Sequence, residues 1–223
     1  MASFWVYMIG RMIRFLGFLI LLAGFGSFSL GLLERENLKE VGTRFLESGN
    51  AQKAIPVFKA WVKLEPRSDL AHFYLGRAFL QRYLKKGSQE DLLMGREQFQ
   101  TSSNFFPRNP EVHYWWANLE KTGAKLHSSE NGYRAYVEHM RKACELDPKN
   151  YYYYSIYFET LIAFLTDLNY LRSPLAQDLF LEEVSFALNR YLSLKEYYRS
   201  EYLALLEAHF DADEREAILS GIQ

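Results

Sequence analysis

The chain has 223 residues, with 26 Lys and Arg against 27 Asp and Glu and a formal net charge of −1, so bulk electrostatics gives no reason to expect a nucleic-acid partner or an acidic-lipid surface. Aromatic residues make up 17% of it, with only 6 prolines and 13 glycines, which excludes a disordered or loop-rich chain and predicts a well-packed, mostly helical one. The single cysteine, Cys144, excludes an intrachain disulfide and falls in a helical stretch as a plain buried or half-buried thiol.

Residues 1–14 read as a cytoplasmic or interfacial N-terminus. Phe4, Trp5 and Tyr7 suit the headgroup level, and Arg11 and Arg14 follow them. Residues 15–33 are an uncharged run, about 28 Å long as a helix and close to the thickness of a hydrocarbon core. The expectation is a single-pass transmembrane signal anchor. The basic residues before it put the N-terminus in the cytoplasm and the rest of the chain on the opposite side, the periplasm if the source is bacterial. A mitochondrial inner-membrane protein would show a similar segment, although residues 1–14 lack the look of a transit peptide. The competing reading is a secreted protein whose signal peptide is cleaved after Gly24-Phe25-Gly26; against it, the apolar run continues past that site to Leu33. Ala23, Ser27 and Gly31 form one small-residue stripe along the run, the kind that lets a second membrane helix pack closely.

From Glu34 to Pro66 the pattern predicts two amphipathic helices folded back on each other. Leu38, Val41, Gly42 and Phe45 form one apolar stripe, and Ala54, Phe58, Trp61 and Leu64 another. Gly49 suits the left-handed residue that ends the first helix, Asn50 caps the second, and Glu65-Pro66 stops it.

This stretch resembles the tetratricopeptide repeat family. Counted from Arg35, seven of eight signature slots match, at Leu38, Val41, Gly42, Phe45, Ala54, Phe58 and Pro66; Trp61 stands where the family prefers a small residue. The resemblance implies an all-α superhelix of about three to four helical hairpins over residues 34–194, a protein-binding scaffold with no chemistry of its own.

Pro66, Pro107 and Pro148 recur every 41 residues, each after an apolar helix end, as expected of a helical-repeat array. The family's period is 34, and the register of His72, Leu75, Gly76 and Phe79, then of His113, Trp116 and Ala117, puts the surplus at the turn inside each later hairpin. Lys85-Lys86-Gly87 followed by Ser88 to Asp91 reads as a helix stop and a capped restart, and 127–132 is its counterpart. A fourth unit begins at Tyr151, with Phe158 in the slot that should be small. Its second helix starts at Ser173-Pro174 and runs to about Leu194, and residues 195–223 supply capping helices.

In this family the first helix of each hairpin lines a groove. The resemblance therefore makes Lys39, Thr43, Phe73, Arg77, Tyr114, Asn118, Tyr152, Ser155 and Glu159 the candidate partner-binding residues, suited to an extended or helical peptide segment. The pattern is not the family's carboxylate clamp, so chaperone tails are not the implied ligand. His72 and His113, in equivalent slots, are expected to be structural. Pairs such as Glu182-Glu183 and Glu90-Asp91 read as solvated faces or caps. No HxxxH, GxSxG, GxGxxG or Walker loop is present, so no metal, cofactor or enzyme activity is expected. The sequence thus predicts a membrane-anchored adaptor for protein partners, with an integral subunit of a respiratory, secretory or motility complex as the alternative.

Overall fold

The computed structural model describes residues 33–127, 130–165, 174–195 and 199–220. The 15–33 run, including Ala23, Ser27 and Gly31, lies outside them but for its last residue. Among the described residues no helix is long and apolar enough to cross a membrane.

Ten helices follow one another among the described residues: α1 (33–47), α2 (Ala51–Leu64), α3 (Asp69–Lys86), α4 (Gln89–Phe105), α5 (Pro110–His127), α6 (Glu130–Leu146), α7 (Tyr151–Leu165), α8 (Pro174–Leu194), α9 (Arg199–His209) and α10 (Ala212–Ser220). They pair as the proline period predicts, α3 on α4, α5 on α6 and α7 on α8, with α4 also touching α5 and α6 touching α7. Hydrophobic clusters follow the same nearest-neighbour logic. One spans α1 to α3, a second joins α3, α4 and α5, and the largest runs from α5 through α10.

Local chemistry sets the turns. Gly49 has φ of 73° and Gly87 of 64°, the left-handed geometry that ends α1 and α3. Asn50 Oδ1 accepts from the Lys53 amide (3.2 Å), and Ser68 Oγ accepts from Ala71 (3.3 Å). Asp211 and Glu214 form a reciprocal capping pair, each accepting the other's backbone N–H, at 2.9 and 3.1 Å. Ser88 sits at the N-cap of α4, yet its side chain makes no cap bond. The Asp91 carboxylate expected to complete that turn points inward to Arg82 instead, whose Nε is 2.9 Å from both its oxygens.

The small slots let paired helices approach closely. A Cβ on Gly42 would fall 2.3 Å from the Phe58 ring, and one on Gly76 would fall 2.9 Å from Phe99, so each glycine is the seat of a ring from the second helix of its hairpin. Trp61, in the slot expected to be small, is 2% exposed. It stacks on Tyr74 with ring centroids 6.1 Å apart and donates from Nε1 to Glu65 (3.0 Å). The equivalent positions, 41 residues on, are the small Ser102 and Ala143.

In the fourth unit Phe158 fills the small slot and is fully buried, its ring 5.0 Å from that of Tyr202 on α9. Cys144 is a free, buried thiol, as expected, and burial followed by the nearby Glu145 charge pushes its pKa well up.

One expectation fails. Asp91 and Glu183 are not solvated but 2% and 3% exposed, as is Glu120 at 2%. Each meets an arginine of a neighbouring helix: Arg82 holds Asp91, Arg96 holds Glu120, and Arg141 holds Glu183, which also accepts from the Tyr157 hydroxyl (2.6 Å). A carboxylate at such depth is tolerable only with this pairing.

Candidate partner-binding face

The first helices stand side by side. Gln81 Nε2 on α3 donates to the Leu46 carbonyl at the end of α1 (2.8 Å), α3 touches α5, and Tyr114 on α5 stacks on Tyr153 of α7 with centroids 5.2 Å apart. Alternating these helices with their partners leaves one face built from α1, α3, α5 and α7, and most of the predicted residues lie on it.

Its centre is Arg77. The guanidinium lies 4.3 Å over the Trp115 ring and 5.6 Å from those of both Phe73 and Tyr74. Arg77 is half-buried, and burial draws its pKa below the ordinary arginine value, opposed by Tyr74, Glu111 and Glu47. It forms no ion pair among the described residues. A cation partly stripped of water and held over an indole keeps its N–H donors for a carboxylate or carbonyl brought by a partner.

On one side of Arg77, Tyr74 closes a cleft of about 520 Å³ in front of α1, lined by Glu36, Lys39, Glu40, Thr43, Arg44 and Glu47. On the other side the aromatic row continues. Trp115 meets Tyr114 edge-on at 5.4 Å, and the Tyr114 hydroxyl is 3.5 Å from that of Tyr152, which is 50% exposed. Burial, reinforced by the bond to Tyr152, holds the Tyr114 phenol well above its ordinary pKa and hence neutral.

The structure therefore brings Lys39, Thr43, Arg77, Tyr114 and Tyr152 to one surface, and it removes or reassigns the rest. Phe73 is 2% exposed and packs in the core with Phe99, supporting Arg77 from beneath where a ligand cannot reach it. Asn118 is half-buried and gives one amide N–H to the Tyr114 carbonyl one turn back (2.9 Å). Ser155 Oγ bonds Glu159 Oε1 (2.9 Å) and lies 3.1 Å from the Tyr202 hydroxyl, so these two residues seat α9 against α7.

Tyr74 and Trp115 are the members that the family slots omit. They are 41 residues apart, at the same position of successive first helices, and that recurrence of a large aromatic was the signal available. Residues 151–154 are four consecutive tyrosines; Tyr153 and Tyr154 are buried while Tyr151 and Tyr152 are exposed, so the run is half core and half surface.

The two equivalent histidines are structural, as expected. His72 Nε2 donates to the Pro66 carbonyl (3.1 Å), with Nδ1 2.7 Å from Gln98 Oε1; His113 faces the backbone of Pro107 in the equivalent place, but its buried Nδ1 has no hydrogen-bond partner among the described residues. Each ties its helix to the turn before it. Position 139 is the 41-residue counterpart of Gln98, and His139 there lies 5.8 Å from His113 and stacks on Trp116 at 3.9 Å. Burial first, then His113 and Arg96, lower the His139 pKa to about 4.

A histidine held neutral by the fold costs stability once the unfolded chain can charge. The contribution is whole above the ordinary pKa of about 6.5 and is lost as pH falls toward about 4, reaching about 3 kcal/mol. His139→Gln, which restores the residue type of the preceding hairpin, is expected to remove this component. Urea midpoints compared at both ends of that window check it. Parent and variant should diverge in favour of the variant at the acid end, and parallel curves would rule out His139 as the source.

Fold and face together define the class: an all-α array of antiparallel helical hairpins with an aromatic and guanidinium row along its first helices. No protein-family model matches the chain, and no curated protein does. Among solved structures, one described as "MamA RS-1 ArsTM double mutant" is similar to it at 14% identity, covering 75% of this chain and 96% of that one with a TM-score of 0.32, a likeness that bears no argument about function.

Proposed function

We propose that this chain is a membrane-tethered, tetratricopeptide-like scaffold that binds peptide segments of other proteins along the α1, α3, α5 and α7 face and performs no chemistry itself. Residues 15–33 are the tether, with the N-terminus cytoplasmic and the repeats across the bilayer. Tethering raises the effective concentration of membrane partners, so modest contacts suffice.

The observation that carries the reading is Arg77 lying 4.3 Å over Trp115 with no ion pair among the described residues, between an open cleft and the exposed ring of Tyr152. Arg, Tyr and Trp clustered in partly desolvated settings are typical binding hot spots. An extended segment carrying an acidic or carbonyl-rich stretch would satisfy the guanidinium while apolar side chains lie on the tyrosines.

A photo-crosslinker at Thr43 in intact membranes, with a control at exposed Gln100 on α4, tests the face. The expected result is a discrete adduct from position 43 alone. Arg77→Ala with Tyr152→Ala, neither of which opens the core, should weaken capture by roughly 30-fold or more, the loss of one hot spot of about 2 kcal/mol. Equal adducts from both positions, or full capture by the double variant, would discard this face.

A further inference from the structure

We propose that the edge of the array carrying the three repeat-spaced prolines lies against the anionic headgroups of the bilayer that holds residues 15–33, so that the first-helix groove stands upright from the membrane. This rests on the tethering proposed above. The turns between hairpins and the start of α1 share that edge, because Arg35 reaches Glu65 beside the first turn (3.9 Å). The turns inside the hairpins share the other: Lys85 of the second donates to the Gly49 carbonyl of the first, and Tyr83 lies 6.5 Å from His127 of the third. The chain therefore leaves its N-terminal apolar run at the proline edge.

Two chemistries recur there. Each turn places one cation after its proline, Arg67, Arg108 and Lys149, all exposed and none in an ion pair among the described residues. Beside them stand exposed apolar side chains: Leu64 at 40%, Phe105 at 43%, Phe106 at 50% and Tyr151 at 46%, the last with Lys195 Nζ 4.4 Å over its ring. Among the described residues, the opposite edge exposes leucines but no aromatic among its large apolar side chains.

The acids of the proline edge are in part already engaged. Glu65 accepts from Trp61 and faces Arg35, and Asp147 accepts from Asn150 (3.1 Å). Asp69 and Glu111 stand in the first turns of α3 and α5, where they complement the helix dipoles. Free cations alternating with aromatic rings fit a headgroup layer, where rings sit at the interface and each cation gains about five-fold in preference for an anionic surface.

The full chain, reconstituted in phosphatidylcholine vesicles with and without phosphatidylglycerol, tests this. An environment-sensitive probe is placed at Phe106→Cys or, as control, at Leu93→Cys on the opposite edge, with Cys144 buried and unlabelled. Headgroup-nitroxide lipids should quench the probe at 106 and not at 93, only with phosphatidylglycerol present and less at 1 M salt, where the Debye length is about 3 Å. Arg67→Glu, Arg108→Glu and Lys149→Glu together should abolish the quenching while the protein still resists alkaline extraction. Equal quenching at both positions, none at 106 in a protein that resists extraction, or no effect of the charge reversals overturns the edge proposal alone. Release of the unmodified protein by alkali overturns the tether and the edge proposal with it.

Discussion

Replacing Arg96 by alanine should lower the stability of the array by about 3 to 5 kcal/mol, because it strands the Glu120 carboxylate at 2% exposure. Arg96 Nε lies 2.7 Å from Oε1 in a two-pronged contact, and the remaining donor to that oxygen, Trp116 Nε1 at 3.1 Å, carries no charge. Urea unfolding should show an earlier midpoint with an unchanged slope. Glu120→Gln keeps the shape and the bond from Trp116, and it leaves the uncompensated charge on Arg96, whose side chain is 37% exposed and can be rehydrated. Its loss should be less than half as large. Equal losses in the two variants would mean that the site depends on shape and not on charge.

Phe99→Ala should cost a similar amount, about 3 to 5 kcal/mol, since a fully buried ring is removed from between α3 and α4. Gly76 makes the test specific. In the parent, Gly76→Ala sets a methyl 2.9 Å from two ring carbons and should destabilise by about 1 to 3 kcal/mol. Without the ring, the same methyl occupies part of the vacated space. The double-mutant cycle should therefore show a favourable coupling of at least about 1 kcal/mol. Strict additivity would mean that the glycine and the ring do not share one packing site.

Much of the architecture is legible in the sequence because hairpin boundaries depend on local chemistry. The prolines at 66, 107 and 148, the glycines at 49 and 87 and the caps at Asn50, Ser68 and Asp211 act over one helical turn, and each appears where its residue type predicts. The face is less legible, because periodicity tells which side of a helix is apolar but not what stands opposite. Phe73 and Arg77 occupy neighbouring groove slots, yet one is core and the other surface, since Phe99 arrives from α4 to cover the first. Nor does sequence reveal that Glu183 is answered by an arginine 42 residues earlier, which turns an apparently solvated acid into a buried one.

Tyr202 has a further consequence. Its ring lies 5.0 Å from Phe158 and 4.5 Å from Tyr191, and its hydroxyl reaches Ser155 and Glu159, the positions at which the next first helix would dock if the array continued. The last hairpin is in this way finished by a plug of different sequence. Among the described residues, such a stopper covers the end of the fourth hairpin, where a further repeat would otherwise pack.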